Sequence, residues 1–190
     1  MYLNCHSYHS LRYGTIPLEA LVAQAVHYGV TAMALTDVNT VTGIYDFITA
    51  CKQVQIKPLV GIEFRCGTEF RYIGLAKNAS GLAEMNRFLT HHNFENSPLP
   101  LEAPNFENVI VIYSLANGPS VLKPHEYLGV RPEEVRKLFS YSGDFSKLVI
   151  WQPVTFTSKK EHQLHKILRA IDQNILLSKL NPSDGATPFE

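Results

Sequence analysis

The sequence predicts an α/β fold in which strands and helices alternate into a closed barrel of parallel strands. Short apolar runs rich in β-branched residues recur along the chain. Each is followed by a segment whose apolar residues return at helical spacing. About six or seven such units follow one another with no repeat period, which favours a closed barrel over an open sheet.

The first unit opens with a strand over Tyr2 to Asn4 and a helix that starts with Pro17 at its first position and Glu19 in its first turn. Leu18, Leu21, Val22, Ala25 and Val26 give that helix one apolar face, and Gly29 ends it at the position that favours a left-handed residue. Thr31 to Thr36 follows as a buried strand. A helix over residues 41–54, with Asn39 and Thr40 offered as caps, leads to a strand from Lys57 to Ile62. Glu69 to Ala76 reads as a strand, Ser80 to His92 as a helix, and the proline-bearing stretch Asn93 to Asn108 as a loop. Val109 to Tyr113 is the most β-like run, Tyr127 to Val130 a weaker one, and Pro132 to Phe139 a helix with proline at its first position. Leu148 to Trp151 and a helix from Lys159 to Asp172 complete the series, before a turn-rich tail from Asn181 onward.

A chain of 190 residues can bury roughly 70% of its unfolded surface, so a substantial core is expected. Lys+Arg and Asp+Glu both number 17, leaving no global field to attract a polyanion and disfavouring nucleic-acid binding as this segment's main task. No uncharged apolar run approaches the ~18 residues needed to span a bilayer. Cys5, Cys51 and Cys66 are odd in number and lack a C-x-x-C pair, so neither a disulfide framework nor a structural zinc site is signalled. With no secretory signal at the N-terminus, a cytoplasmic location is expected.

In a barrel of this kind the functional residues lie at the carboxyl ends of the strands. The residues there are Asn4 to Ser7, Asp37 to Thr40, Glu63, those near Arg71, Ser114 to Asn117, and Gln152 to Thr155. Only His6, Asp37 and Glu63 among them are plausible metal or acid/base groups.

Four blocks carry a resemblance: Asn4 to Gly14 (N-C-H-S-Y-H-S-L-R-Y-G), Ala34-Leu35-Thr36-Asp37 with Gly43, Ile56 to Glu63 (I-K-P-L-V-G-I-E), and Leu75 to Gly81 (L-A-K-N-A-S-G). In that order and spacing they resemble the N-terminal polymerase and histidinol phosphatase (PHP) domain of bacterial DNA polymerase III alpha subunits, over Met1 to about Asn174. The lysine-asparagine-x-x-glycine block points to the polymerase branch. The resemblance implies a distorted (βα)7 TIM-like barrel whose strand ends gather histidines and carboxylates around a cluster of metal ions. In metal-bearing members that centre is associated with phosphoester hydrolysis.

This sequence departs from the pattern implied. The first histidine of the His-x-His pair corresponds to Asn4, whose amide is a poor zinc ligand, while His6 keeps the second place. Tyr13 stands where an acid is expected, Val38 and Arg71 where histidines are, and the late Asp-x-His motif aligns with Pro153 and Thr155. Glu63 is retained. Two-metal phosphoester cleavage needs ions about 3.5–4 Å apart, and a catalytic zinc takes about three protein ligands, so His6, Asp37 and Glu63 read as a vestigial site with no catalytic residue and no bound metal. An arginine at 71 would place its charge beside Glu63 and could pair with it.

His6 is expected to be a packed, hydrogen-bonded histidine, and Glu63 a buried acid held by backbone amides or Arg71. Asp37 is expected to cap the helix beginning near Thr40 or to order the intervening turn. His162 and His165, and the basic run of Lys159, Lys160, Lys166 and Arg169, read as a solvated helix face. His91 and His92 close a helix, and Cys5 is a half-buried structural cysteine.

The leading expectation is therefore a PHP domain over residues 1–180 with a linker at 181–190. It would serve as a structural platform for a template-directed DNA polymerase, a nucleotidyltransferase whose Mg²⁺-binding carboxylates lie beyond Glu190. Expected partners are the polymerase portion of the same chain, a proofreading exonuclease subunit, and DNA through the parent polymerase, with no membrane. The competing class is an active metallophosphoesterase, either a proofreading nuclease or a pyrophosphatase, built on His6, Glu63 and further ligands. Tightly held zinc, manganese or iron lost on His6→Ala would distinguish it. A free-standing regulatory module is a third alternative.

Overall fold

A computed structural model describes residues 1–181 together with Ala186. Its elements run β1 (Tyr2–Cys5), α1 (Leu18–His27), β2 (Ala32–Leu35), α2 (Ile44–Gln53), β3 (Lys57–Cys66), β4 (Glu69–Ala76), α3 (Ala79–Phe94), β5 (Val109–Ser114), β6 (Glu126–Val130), β7 (Leu148–Ile150), β8 (Pro153–Val154) and α4 (Lys159–Asp172). Short 3₁₀ segments cover Pro132–Ser140, Phe145–Lys147 and Leu177–Lys179. The first of these replaces the expected α-helix, and it buries no residue that could anchor a longer one.

All eight strands join one mixed sheet in the order β7-β6-β5-β4-β3-β2-β1-β8. The expectation of a closed parallel barrel is corrected in two respects. First, β4 runs antiparallel to both β3 and β5. Only Gly67 and Thr68 separate β3 from β4, and a parallel return needs a crossover of about a dozen residues. Second, the ladder is open between β7 and β8, which occupy opposite edges of the strand order. Trp151 and Gln152 alone connect these edges, and three peptide units reach at most about 11 Å, so the sheet must curl until its margins nearly meet.

The curl separates an inner from an outer apolar layer. Ala34, Ile73, Leu75, Ile112 and Trp151 cluster with Leu3, Leu59, Tyr127 and Val149, side chains contributed by β1 to β7 and the residue after it. Outside, α1 and α2 pack Leu21, Phe47 and Cys51 against Met33 and Leu35. Over the other half, α3 and the loop after it set Met85, Leu89 and Phe106 against Phe64, Val111 and Tyr113. Alternation along β5 divides Ile112 from Val111 and Tyr113 between the two layers, as the pleat requires.

Helix boundaries follow local chemistry. Gly29 takes φ +63° after α1, as its position predicts, while Pro17 lies one place earlier than expected, at the N-cap. The side chain of Asn78 caps α3 by accepting from the amide of Gly81. A Cβ at Gly81 would lie 2.0 Å from the carbonyl oxygen of Asn108, so that approach requires glycine. Asn39 and Thr40 do not cap α2, which follows Gly43 without a side-chain cap. Asn39 adopts φ 50° instead, and its amide bridges the backbone N and O of Arg65 at 2.9 and 2.8 Å.

Among the described residues no helix is long and apolar enough to cross a membrane.

Candidate functional site

The carboxyl ends of β1, β2 and β8 converge on one buried carboxylate carried within β3. Asn4, His6, Thr36 and Thr155 are fully buried there, and Glu63 is 1% exposed. Asn4 and His6 are two apart on β1, the spacing that turns two strand side chains the same way. The parallel pairing of Asn4 with Pro153 brings the chain after β8 beside them.

Glu63 is engaged at both oxygens. Oε2 accepts from Asn4 Nδ2 at 2.8 Å and lies 3.0 Å from His6 Nε2. Oε1 accepts from Nε of Arg65. Burial alone pushes the Glu63 carboxyl up, but the Arg65 guanidinium and the His6 imidazole more than offset it and hold the group well below the usual carboxylate range. An ionised Glu63 only accepts, so His6 carries its proton on Nε2. The other ring nitrogen, Nδ1, meets Thr155 Oγ1 at 3.0 Å.

The amide of Asn4 is oriented by three partners. Its Oδ1 accepts from Trp151 Nε1 at 3.1 Å, and its Nδ2 donates to Thr36 Oγ1 at 2.9 Å as well as to Glu63. Arg65 extends the network outward, donating to the Tyr13 hydroxyl at 2.9 Å and to the Thr68 carbonyl at 3.3 Å. Its guanidinium carbon stands 4.6 Å from the centre of the Tyr13 ring, within cation–π range.

Asp37 serves a different purpose from helix capping. Its carboxylate accepts from Ser7 N at 2.6 Å, Ser7 Oγ at 2.7 Å and Ser10 Oγ at 2.7 Å. It therefore fixes the loop after β1 rather than the turn before α2. Val38 forms an isolated parallel bridge with Glu63 and supplies no lone pair from its side chain.

Arg71 does not reach the site. Its guanidinium donates to the Leu99 carbonyl at 3.2 Å and to Glu69 at 2.8 Å. The partner of Glu63 is Arg65, which the sequence reading missed because it ended β3 at Ile62. Extending the strand past Glu63 would have placed a residue two positions on near the same carboxylate. Trp151 and Thr36 were missed as well: Thr36 stands in the block from Ala34 to Asp37 but is not a metal-ligand type, and Trp151 belongs to no motif.

Two surface assignments are also corrected. His165 is fully buried and Arg169 is 4% exposed, because α4 docks through them on Tyr13. His165 Nδ1 donates to the Tyr13 carbonyl at 2.6 Å, and Nε2 accepts from Ala186 N at 2.8 Å. Burial lowers the pKa of His165 to about 4, outweighing the bond to Tyr13. Cys5 is buried rather than half-buried, and burial pushes its thiol up; the thiol of Cys51 is pushed up to about 11 by the same cause.

A curled mixed sheet that carries a histidine and a carboxylate at the ends of its strands defines a class of α/β domain with its site at the sheet mouth. The chain belongs to the PHP domain family, whose model matches residues 3–177. It is 40% identical over 70 residues to a DNA polymerase III subunit alpha of Chlamydia muridarum, covering 37% of this chain and 6% of that protein. An error-prone DNA polymerase of Symbiobacterium thermophilum is 28% identical over 143 residues, covering 75% of this chain and 12% of the relative. The chain thus spans a small fraction of these relatives' length. A solved amidohydrolase of Chromobacterium violaceum aligns with TM-score 0.41 and 21% identity over 50% of this chain and 34% of its own.

The metal cluster implied by the family resemblance does not fit these residues. Among the described residues no three His, Cys, Asp or Glu side chains converge. The two donors that remain, His6 and Glu63, face each other, with Thr155 on the free ring nitrogen and a guanidinium on the free carboxylate oxygen. A cation there would have to displace Arg65 or share the space with its charge.

Proposed function

We propose that this chain is the N-terminal PHP domain of a DNA polymerase III alpha-type subunit, acting as a metal-free, non-catalytic platform. In this reading residues 1–180 form a degenerate PHP barrel built on a curled mixed sheet, and the linker toward the polymerase portion is assigned to residues 181–190, most of which lie outside the described residues. Template-directed nucleotidyl transfer, with its Mg²⁺, belongs to that portion, and this segment needs no cofactor. The observation that carries the reading is the saturation of Glu63 by Asn4, His6 and Arg65. Asn4 substitutes a donor where a ligand would stand, and Arg65 supplies the positive charge.

A second feature supports the platform role. Helix α4 turns polar residues inward and leaves Leu164, Ile167 and Ile171 exposed at helical spacing, continued by Leu176 and Leu177. A contiguous apolar stripe of this kind fits further polypeptide, and the polymerase portion of the same chain is the partner this reading assigns. A proofreading exonuclease subunit, DNA held by the parent polymerase, and a cytoplasmic setting complete it.

Metal analysis of the purified protein after incubation with zinc and manganese and exhaustive dialysis tests the proposal, together with a phosphoesterase assay. The expected result is far less than one metal per chain and no hydrolysis above background. Stoichiometric metal, or hydrolysis abolished by His6→Ala, would overturn it.

A further inference from the structure

A cavity of about 650 Å³ lies on the outer side of the sheet. Its floor includes Cys5, Met33 and Val154, its first wall Leu21 and Ala25 of α1, and its opposite rim Phe156, Lys159 and His162. Helices normally cover the outer face of such a sheet, but α4 directs His165 and Arg169 to the loop after β1, with Arg169 5.5 Å from the Tyr13 ring. Between α1 and the start of α4 the cavity lies over Cys5 and Met33, which are buried, and Val154, which is half-buried.

We propose that this cavity binds a small amphipathic anion, a free single-chain carboxylate with an apolar body. The volume falls in the range of about 300–1,000 Å³ typical of small-molecule sites. Charge selects the class. Among the described residues no Asp or Glu lines the cavity, although the chain carries as many acidic as basic residues. Lys159 stands exposed at one end, beside His162, whose ring lies 4.7 Å from that of Phe156. The neighbouring Glu161, not itself a lining residue, accepts through Oε2 from the backbone N and hydroxyl of Thr157 at the rim. An apolar chain covers the floor while its head group meets Lys159. The proposal is independent of the state of the mouth.

Calorimetric titration of the 190-residue chain with dodecanoate, kept below its micellar concentration, tests this, with dodecyltrimethylammonium as the cationic control. The expected result is saturable binding of one dodecanoate per chain, weakened by about tenfold or more for the ammonium compound and for Lys159→Glu. Ala25→Trp, which adds bulk to the α1 wall, is expected to abolish binding. Lys159 is exposed, so its variant keeps the fold and decides the matter even if the tryptophan variant does not fold. Lack of saturation, equal affinity for the two head groups, undiminished binding by Lys159→Glu, or capture of anionic vesicles without binding of the monomeric carboxylate would overturn the proposal.

Discussion

Nε of Arg65 donates to Oε1 of Glu63, two residues back along β3 and across a local shift in the strand's register. The contact brings a guanidinium that is 13% exposed against a carboxylate that is 1% exposed, so neither charge is well screened by water. Removing one partner leaves the other uncompensated. Arg65→Met is expected to lower stability by about 3–5 kcal/mol. Adding Glu63→Gln should recover a large part of that loss, and urea unfolding of the two single variants and the double variant measures the coupling.

Asn4 gives a sharper test of the mouth's chemistry. It donates to Glu63 and Thr36 and accepts from Trp151. Asn4→Asp replaces the donor with a second carboxylate beside the first, whereas Asn4→Ala only removes it. The aspartate variant is expected to unfold at lower urea than the alanine variant, by about 1–3 kcal/mol. The reverse order would show that the contact with Glu63 is not a donated hydrogen bond.

The loop after β1 depends on Asp37. Three donors from Ser7 and Ser10 converge on its carboxylate; a hydrogen bond to a charged group contributes about 1.5–3 kcal/mol net, and bonds that share one acceptor do not add. Asp37→Ala is expected to destabilise the protein by about 2–4 kcal/mol and to accelerate hydrogen exchange most strongly at Ser7 to Gly14. The start of α2 should change less, because it has no side-chain cap to lose.

Acid sensitivity has a source in His165. Its pKa lies near 4 in the folded protein against the ordinary 6.5. The unfolded chain therefore binds a proton that the native chain refuses. Stability rises with pH between about 4 and 6.5, is level above that window, and loses on the order of 3 kcal/mol at its lower end from this group. Urea midpoints of wild type and His165→Gln, compared at pH 5 and 7.5, should show a smaller pH difference in the variant.

How much of this was legible follows from particular residues. The extents of β4 and β5 and the bounds of α4 could be read from local composition; the central residues of both strands are apolar and buried on both faces. The direction of β4 could not be read from its own composition; it is set by the brevity of the turn at Gly67. Strand β8 is two residues long and begins with Pro153, which offers no amide to a ladder, so it carries no strand signal of its own. At the mouth, motif spacing located His6, Glu63 and the altered position Asn4, but not what the asparagine does. Its donation to Glu63 is a tertiary fact, as is the choice of Arg65 over Arg71. His165 lies among charged residues on α4 and reads as solvated, yet it is buried because that helix docks by polar contacts rather than by its aliphatic face.

The central claim is that neither ring nitrogen of His6 is available to a metal. Long-range proton–nitrogen correlation spectra of the histidine rings, with His6 identified by its loss in His6→Gln, test this when recorded with and without excess zinc. The account predicts a His6 ring protonated at Nε2 whose nitrogen shifts do not move on addition of zinc. A zinc-dependent shift of either His6 nitrogen to a metal-bound position would contradict it.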